Sequence, residues 1–229
     1  MKVYYRMTPT YSQHEARRPR YPFDKLHLAD MCLKSFIEAF SEVKPKIHFI
    51  LDKCGSEWEK MIKTPFEQEI EHVEFGTMFR TLPYQYELAR NANDYVLFQE
   101  DDYIYLKDTG QKLLDAMKVL EFVSPYDHRE FYTLNKVNHK PPFDIKLIGE
   151  QHWRTIDFNT MTWGCHSERL KDYWDELNMY GYWDKDTWIG MGKAGAKLWS
   201  PIPSLATHMH LDFLSPGIDW YNRFDELER

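Results

Sequence analysis

The pattern of apolar and polar positions divides the chain into two halves of different character. In the first half, short apolar runs of strand length (Val3-Tyr4-Tyr5, Ile47 to Leu51, Ile70 to Phe75 and Tyr95 to Phe98) alternate with stretches whose apolar residues recur at helical spacing. Ala29, Leu33, Phe36, Ile37 and Phe40 mark one helix, with Asp24 as its cap. Ser56 caps a short second helix through Lys63, and Phe79, Leu82, Tyr86 and Ala89 mark a third. A β-α-β-α-β-α-β order predicts crossover units and therefore a parallel sheet covered on both faces.

The second half is less regular. It predicts an amphipathic helix from Asp108 to Phe122, and short strands at Phe131 to Val137, Ile145 to Gly149 and Thr155 to Thr162. Gly164 breaks the chain before a helix capped by Ser167 and reaching about Leu177, and the loop from Tyr182 to Gly190 enters a helix ending near Gly195. Leu198 to Leu205, interrupted by proline, is expected as an edge strand, and Gly217 to Arg229 as a terminal helix. The fold class expected is α/β, a mixed central sheet flanked by helices, in a single domain spanning 1–229.

Composition narrows the partners. With 43% hydrophobic and 28% charged residues, the 229-residue chain belongs with globular proteins and can bury a core without staples. A formal charge of -7 argues against a nucleic-acid partner or an anionic membrane surface. Cys32, Cys54 and Cys165 are odd in number and far apart, which is simplest as reduced thiols and a cytoplasmic setting. No apolar leader precedes the first strand and no eighteen-residue apolar run occurs, so no membrane span is expected in this chain.

Candidate chemistry concentrates after the run Tyr95 to Phe98, where Glu100, Asp101 and Asp102 follow in a row. Buried strands of α/β sheets deliver ligand-contacting groups at their carboxyl ends, and carboxylates there suit a hard divalent cation, Mn²⁺ or Mg²⁺, bridged to a diphosphate. In an acidic chain the spacing alone is common, and its place directly after a buried strand carries the weight. Met7-Thr8-Pro9-Thr10-Tyr11, at the end of the first strand, offers hydroxyls, backbone amides and a ring for a nucleotide base and ribose, though an ordinary proline turn explains it too. Asp52, ending a later strand at the same sheet edge, has a carboxylate able to accept from uracil or guanine. Arg17, Arg18 and Arg20 in a polar loop, and Arg80 opening a helix, are candidates for diphosphate contact or for solvated salt bridges. Asp184 and Asp186 lie between aromatic residues, placed either to act as a general base or to cap a helix. His208-Met209-His210 offers imidazoles to a borderline metal, or two structural histidines. Trp153, Trp163, Trp174, Trp183 and Trp188 crowd this half, as sugar-stacking faces or as core.

Taken in order from Thr8 to His208, the Thr-Pro-Thr-Tyr turn, the strand-ending Asp52, Glu100-Asp101-Asp102, the late acidic loop and the histidine beyond it resemble GT-A fold (Rossmann-like) glycosyltransferases. Lys185-Asp186, followed by Gly195 and Ser200-Pro201, is similar to the loop and helix of their family 2-type members. The resemblance implies a nucleotide-binding half at about 1–102 and an acceptor-binding half at about 103–229. It implies that Thr8, Thr10, Tyr11 and Asp52 hold base and ribose, that Glu100 and Asp101 support the ribose or the metal, and that Asp102 and His208 ligate Mn²⁺ or Mg²⁺. Asp186 is then the catalytic base, with Asp184 as the alternative. Lys185 stands where a Glu is common, and Glu100 where an Asp is. The reaction implied is inverting transfer of a sugar from a UDP- or GDP-linked donor to a hydroxyl acceptor, a glycan by expectation. A sugar nucleotidyltransferase and a non-catalytic carbohydrate-binding module are the rival readings. The first usually carries a Gly-rich basic loop after its opening strand, and none follows Tyr5 here.

Overall fold

Successive side chains of a strand point to opposite faces, and the first strand, β1 (Lys2–Met7), uses both. Val3, Tyr5 and Met7 pack with Phe36 of the first helix, α1 (Lys25–Ala39), on one side. Tyr4 packs on the other side in a cluster with Leu82 and Tyr86 of α3 (Met78–Ala89). The same division holds on β4 (Tyr95–Glu100), where Leu97 joins the first cluster and Val96 and Phe98 the second. A strand apolar on both faces needs cover on both, which the crossover helices supply. The computed structural model describes residues 1–10, 24–132, 143–180 and 183–229.

Among the described residues nine strands form one mixed sheet, ordered β3-β2-β1-β4-β9-β6-β10-β8-β7. Its first four members run parallel: β1 pairs with β2 (Lys46–Asp52) and β4, and β2 with β3 (Gln68–Val73), which a short α2 (Ser56–Met61) precedes. The carboxyl ends of β1, β2 and β4 therefore share one rim. After β4, a short β5 (Tyr103–Tyr105) leaves the main sheet and pairs antiparallel with β11 (Ala206–His208). Between them run α4 (Thr109–Met117), β6 (Phe122–Val123), β7 (Ile145–Ile148), β8 (Gln151–Ile156), β9 (Trp163–His166), α5 (Ser167–Asp172), α6 (Trp174–Tyr180), α7 (Asp184–Lys193) and β10 (Leu198–Ile202). The last helix, α8 (Trp220–Glu228), docks Trp220 and Phe224 in a cluster with Leu28, Met31 and Cys32 of α1. Among the described residues no helix is long and apolar enough to cross a membrane.

The first half follows its apolar pattern closely; Asp24 caps α1, its side chain accepting from the His27 N–H at 2.8 Å. Ser56 is the first residue of α2 and Gly55 its cap. The second half departs at more places: the helix expected from Asp108 to Phe122 ends at Met117 with Phe122 in β6, and the helix expected from Ser167 to Leu177 is two helices, α5 and α6, with His166 as the cap of the first. Gly164 does not break the chain: it lies within β9, opposite Leu97 on one side and Val123 on the other. A Cβ there would sit 2.6 Å from the Val96 carbonyl oxygen and 2.3 Å from Met117 Cε, so glycine permits this close approach. Thr155 to Thr162 is not one strand; β8 ends at Ile156 and the chain turns before β9. β10 is interior, between β6 and β8. Its pairing with β6 stops at Trp199, so Pro201, opposite Trp153 of β8, removes no ladder donor that β6 requires. Residues 129–132 form a 3₁₀ turn rather than the start of a strand, and the rest of the expected strand to Val137 lies outside the described residues.

Trp153, Trp163 and Trp188 are buried core, and Trp174 is partly buried against it. Only Trp183 among the five keeps 45% of its surface exposed. All three cysteines are free thiols.

Candidate active site

The rim takes its shape from main-chain register. Arg6 stands opposite Glu100 across β1 and β4, and its guanidinium donates to Glu100 Oε1 at 3.1 Å. Just past the strand ends, two residues on from Arg6 and one on from Glu100, the tie changes partners: the Thr8 N–H donates to Asp101 Oδ2 at 2.9 Å. The other oxygen of Asp101 accepts from Lys25 Nζ at 2.6 Å. Lys25 belongs to the first turn of α1, which returns the chain from β1, so a βαβ crossover brings an ammonium to the carboxyl end of the sheet. Asp101 and Lys25 are only 2% and 8% exposed. Burial makes this pair a fixed structural joint, since removing either partner would leave an uncompensated charge.

Asp102 faces the same space from the next position. Its Oδ2 lies 3.1 Å from His208 Nε2 and 3.7 Å from Lys25 Nζ. His208 is positioned by the β5–β11 pairing opposite Tyr103 and lies between two rings, stacked with Tyr103 at 5.1 Å and Phe213 at 5.5 Å. Tyr103 is anchored in turn by a hydrogen bond between its hydroxyl and Thr160. The Met209 N–H donates to the Asp102 carbonyl at 2.8 Å, tying the strand that carries the imidazole to the residue it meets.

Burial pushes the Glu100 carboxyl well above the usual range, and the negative charges of Asp102 and Asp184 push the same way, against Arg6 and His208. Asp184, the first residue of α7, is near enough for its charge to bear on Glu100 although it is remote in sequence. With the charged form of Glu100 disfavoured, the carboxylates of Asp101, Asp102 and Asp184 still outnumber the fixed cations of Arg6 and Lys25, an excess that a divalent cation would offset. Asp102 and His208 supply a carboxylate and an imidazole within contact of each other, a donor pair that suits Mn²⁺ and tolerates Mg²⁺. Among the described residues no group of three or more His, Cys, Asp or Glu is arranged to hold a metal. Among the described residues the pair would fit an ion only as part of a larger set, to which diphosphate oxygens could contribute.

The structure thus brings together Thr8, Glu100, Asp101, Asp102, His208 and Asp184. The remaining candidates are held differently or lie outside the described residues. Asp52 is fully buried, with Oδ1 accepting from the Gly76 N–H at 2.7 Å and Oδ2 from the Thr81 hydroxyl at 2.8 Å. Although Asp52 ends β2 at this rim, its carboxylate is engaged in holding the entry to α3. Asp186 is exposed, and it is Asp184 whose charge bears on Glu100. Arg80 is exposed and stacks over Phe75 at 5.0 Å. Thr10 is exposed at the end of the described amino-terminal segment, while Tyr11, Arg17, Arg18 and Arg20 lie outside the described residues. His210 is buried in the turn after β11, where its Nδ1 accepts from the Asp212 N–H at 3.1 Å. Arg6 and Lys25 were not singled out from sequence. Lys25 had a usable signal, since it follows the cap of a crossover helix whose start must lie at this rim; Arg6 needed the β1–β4 register.

No protein-family model matches the chain, and no curated protein matches it in sequence. Solved structures do match. A nucleotidyl transferase from Methanothermobacter thermautotroptrophicus superposes with a TM-score of 0.56 at 12% identity, over 99% of this chain and 98% of that one. A Desulfovibrio desulfuricans protein described as a nucleotide-diphospho-sugar transferase superposes with a TM-score of 0.50 at 10% identity, over 87% of this chain and 78% of that one. The chain has the GT-A fold. The glycosyltransferase GlyE of Streptococcus pneumoniae TIGR4 matches 87% of the chain at 11% identity with a TM-score of 0.49, and the chain spans 44% of its length. Within the GT-A fold, the cluster described above stands at the carboxyl rim of the parallel strands, where open α/β sheets bind ligands.

Proposed function

We propose that this GT-A chain is a glycosyltransferase, moving a sugar from a nucleoside-diphosphate donor to the hydroxyl of an acceptor, a glycan by class, with inversion. The observation that carries the reading is the row Glu100-Asp101-Asp102 at the end of β4, tied to Arg6, Thr8 and Lys25 and met by His208 and Asp184. Thr8 and Arg6 orient the donor side of the rim. Asp102 and His208 would hold Mn²⁺ or Mg²⁺, which when bound would supply positive charge to a leaving diphosphate. As the acceptor oxygen bonds to the anomeric carbon, the bond from that carbon to the phosphate oxygen breaks on the opposite face. The electron pair departs on the nucleoside diphosphate. Asp184 takes the acceptor proton as general base, being the acid of its loop that bears on Glu100. Trp183, exposed and packed edge-on against exposed Phe79 at 4.8 Å, precedes Asp184 and offers the acceptor an aromatic wall.

A thermal-shift panel of UDP- and GDP-sugars, with and without Mn²⁺, tests the reading. A nucleotide sugar should raise the melting temperature when metal is present, and Asp102→Ala should lose that response. Equal stabilisation of both proteins would remove Asp102 from the metal site.

One observation favours a second reading: the match over 99% of the chain is to a nucleotidyl transferase. Nucleotidyl transfer attacks the α-phosphorus of a nucleoside triphosphate and releases pyrophosphate, whereas glycosyl transfer releases a nucleoside diphosphate. Product analysis separates them, and pyrophosphate release would displace the glycosyltransferase reading.

A further inference from the structure

A lysine whose ammonium lies 2.6 Å from one aspartate and 3.7 Å from its neighbour is an unusual companion for a metal-binding acidic row. It already stands in the field where a divalent ion would be attracted. We propose that Lys25 is the resident cation of this site: it partly neutralises Asp101 and Asp102 in the free chain, weakens capture of a bare divalent ion, and offers its charge to an incoming diphosphate. The proposal rests on reading the rim as a diphosphate site.

Three features support it. Lys25 is fixed rather than surface-mobile, being 8% exposed and held in the first turn of a helix capped by Asp24. Its stronger partner, Asp101, is itself locked by the Thr8 N–H at 2.9 Å, so the ammonium cannot leave the rim by following a flexible carboxylate. Its weaker partner is the more consequential one. Asp102 Oδ2 is the same oxygen that meets His208 Nε2 at 3.1 Å, so ammonium and imidazole converge on the atom proposed to ligate the metal. A like charge this close opposes a second cation in a site shielded from water, where screening is weak. A diphosphate changes the balance, because its oxygens offer the ammonium new partners and complete the ion's coordination at once.

The test uses the purified chain without nucleotide. Mn²⁺ affinity is measured by titration calorimetry and by the free-ion electron paramagnetic resonance signal for wild type, Lys25→Met and Lys25→Arg. Lys25→Met should bind Mn²⁺ at least about tenfold more tightly than wild type, with Lys25→Arg close to wild type. Adding Asp102→Asn to Lys25→Met should abolish the gain. In a second arm, inorganic pyrophosphate should bind the wild type in EDTA, and Lys25→Met should weaken that binding by about tenfold or more. Equal Mn²⁺ affinities for wild type and Lys25→Met would overturn the proposal, as would a gain that survives Asp102→Asn. The wild-type arm needs no variant to fold, and failure of pyrophosphate to bind in EDTA overturns the proposal by itself. Neither arm contains a nucleoside. A chain that passes both yet binds no UDP- or GDP-sugar would sink the transferase reading and leave the role of Lys25 standing.

Discussion

Asp52 offers a sharp separation between a binding role and a structural one. Its carboxylate is fully buried and accepts two hydrogen bonds, one from the Gly76 N–H at 2.7 Å and one from the Thr81 hydroxyl at 2.8 Å. Gly76 is in the left-handed region, with φ of 64°, and Thr81 lies in the first turn of α3, so one side chain fixes a turn and the helix that follows it. Hydrogen bonds to a charged group contribute about 1.5–3 kcal/mol each, offset in part by the desolvation of the carboxylate itself. Asp52→Ala should therefore cost about 2–4 kcal/mol, a sizeable share of the roughly 5–15 kcal/mol of a typical domain. For a chain of this size, a 3 kcal/mol loss lowers the melting temperature by about 6–12 °C.

Asp52→Asn refines the argument. Its carbonyl oxygen can still accept from the Gly76 N–H, while its amide nitrogen donates to Thr81 Oγ1, whose own proton can turn to the Thr77 carbonyl 3.0 Å away. Asparagine should thus recover most of the stability, costing no more than about 1.5 kcal/mol. Urea unfolding of wild type and both variants measures these differences as shifts in midpoint at constant slope. If Asp52 instead served a nucleotide base, both substitutions would weaken donor binding alike and leave unfolding unchanged. That pattern would refute the structural assignment.

Three further outcomes follow from other parts of the fold. Gly164→Ala places a methyl group 2.6 Å from the Val96 carbonyl and should destabilise by about 1–3 kcal/mol in urea unfolding, because a strand held between two neighbours has little room to yield. Glu38 links α1 to α8 through Arg223 and to Lys107; burial raises its carboxyl, but the hydrogen bonds and charges of those two cations outweigh it and hold the net value below normal. A depressed carboxyl stabilises above its unfolded value, near 4.3, and loses that contribution as pH falls through the folded one. The advantage of wild type over Glu38→Gln should accordingly shrink in melts taken below about pH 4.3. Trp183→Ala should leave the melting temperature within a degree or so, since the ring is 45% exposed, while raising the acceptor KM in the transferase assay.

What was legible in the sequence depended on whether one strand or helix carried its own instruction. Val3 to Met7 and Tyr95 to Glu100 announce buried strands by residue type alone, and Asp24 announces a helix start, so the parallel half and its acidic rim were within reach. Gly164 and Pro201 illustrate the opposite case. Both are residues that ordinarily end strands, and both sit inside one, because a close backbone approach needs the glycine and the two-residue length of β6 leaves the proline without a partner to fail. Neither fact is local, since each depends on a neighbour contributed from 40 or more positions away.

The site divides along the same line. Glu100, Asp101 and Asp102 are consecutive, so their chemistry could be proposed from spacing, but which acid binds what is decided by partners from distant segments. Arg6 reaches Glu100 through the β1–β4 register, Lys25 and Thr8 together occupy Asp101, and His208 finds Asp102 by way of a two-stranded pairing that brackets half the chain. Asp101 thereby becomes a joint and Asp102 the carboxylate that meets His208 and the outer reach of Lys25. Asp186 and Asp184 divide in the same way: Asp186 is exposed, and it is Asp184, the first residue of α7, whose charge bears on Glu100. Three adjacent acids that look equivalent in sequence are made unequal by the cations that reach them, and it is that inequality, rather than the acidic row itself, that gives the rim a direction for chemistry.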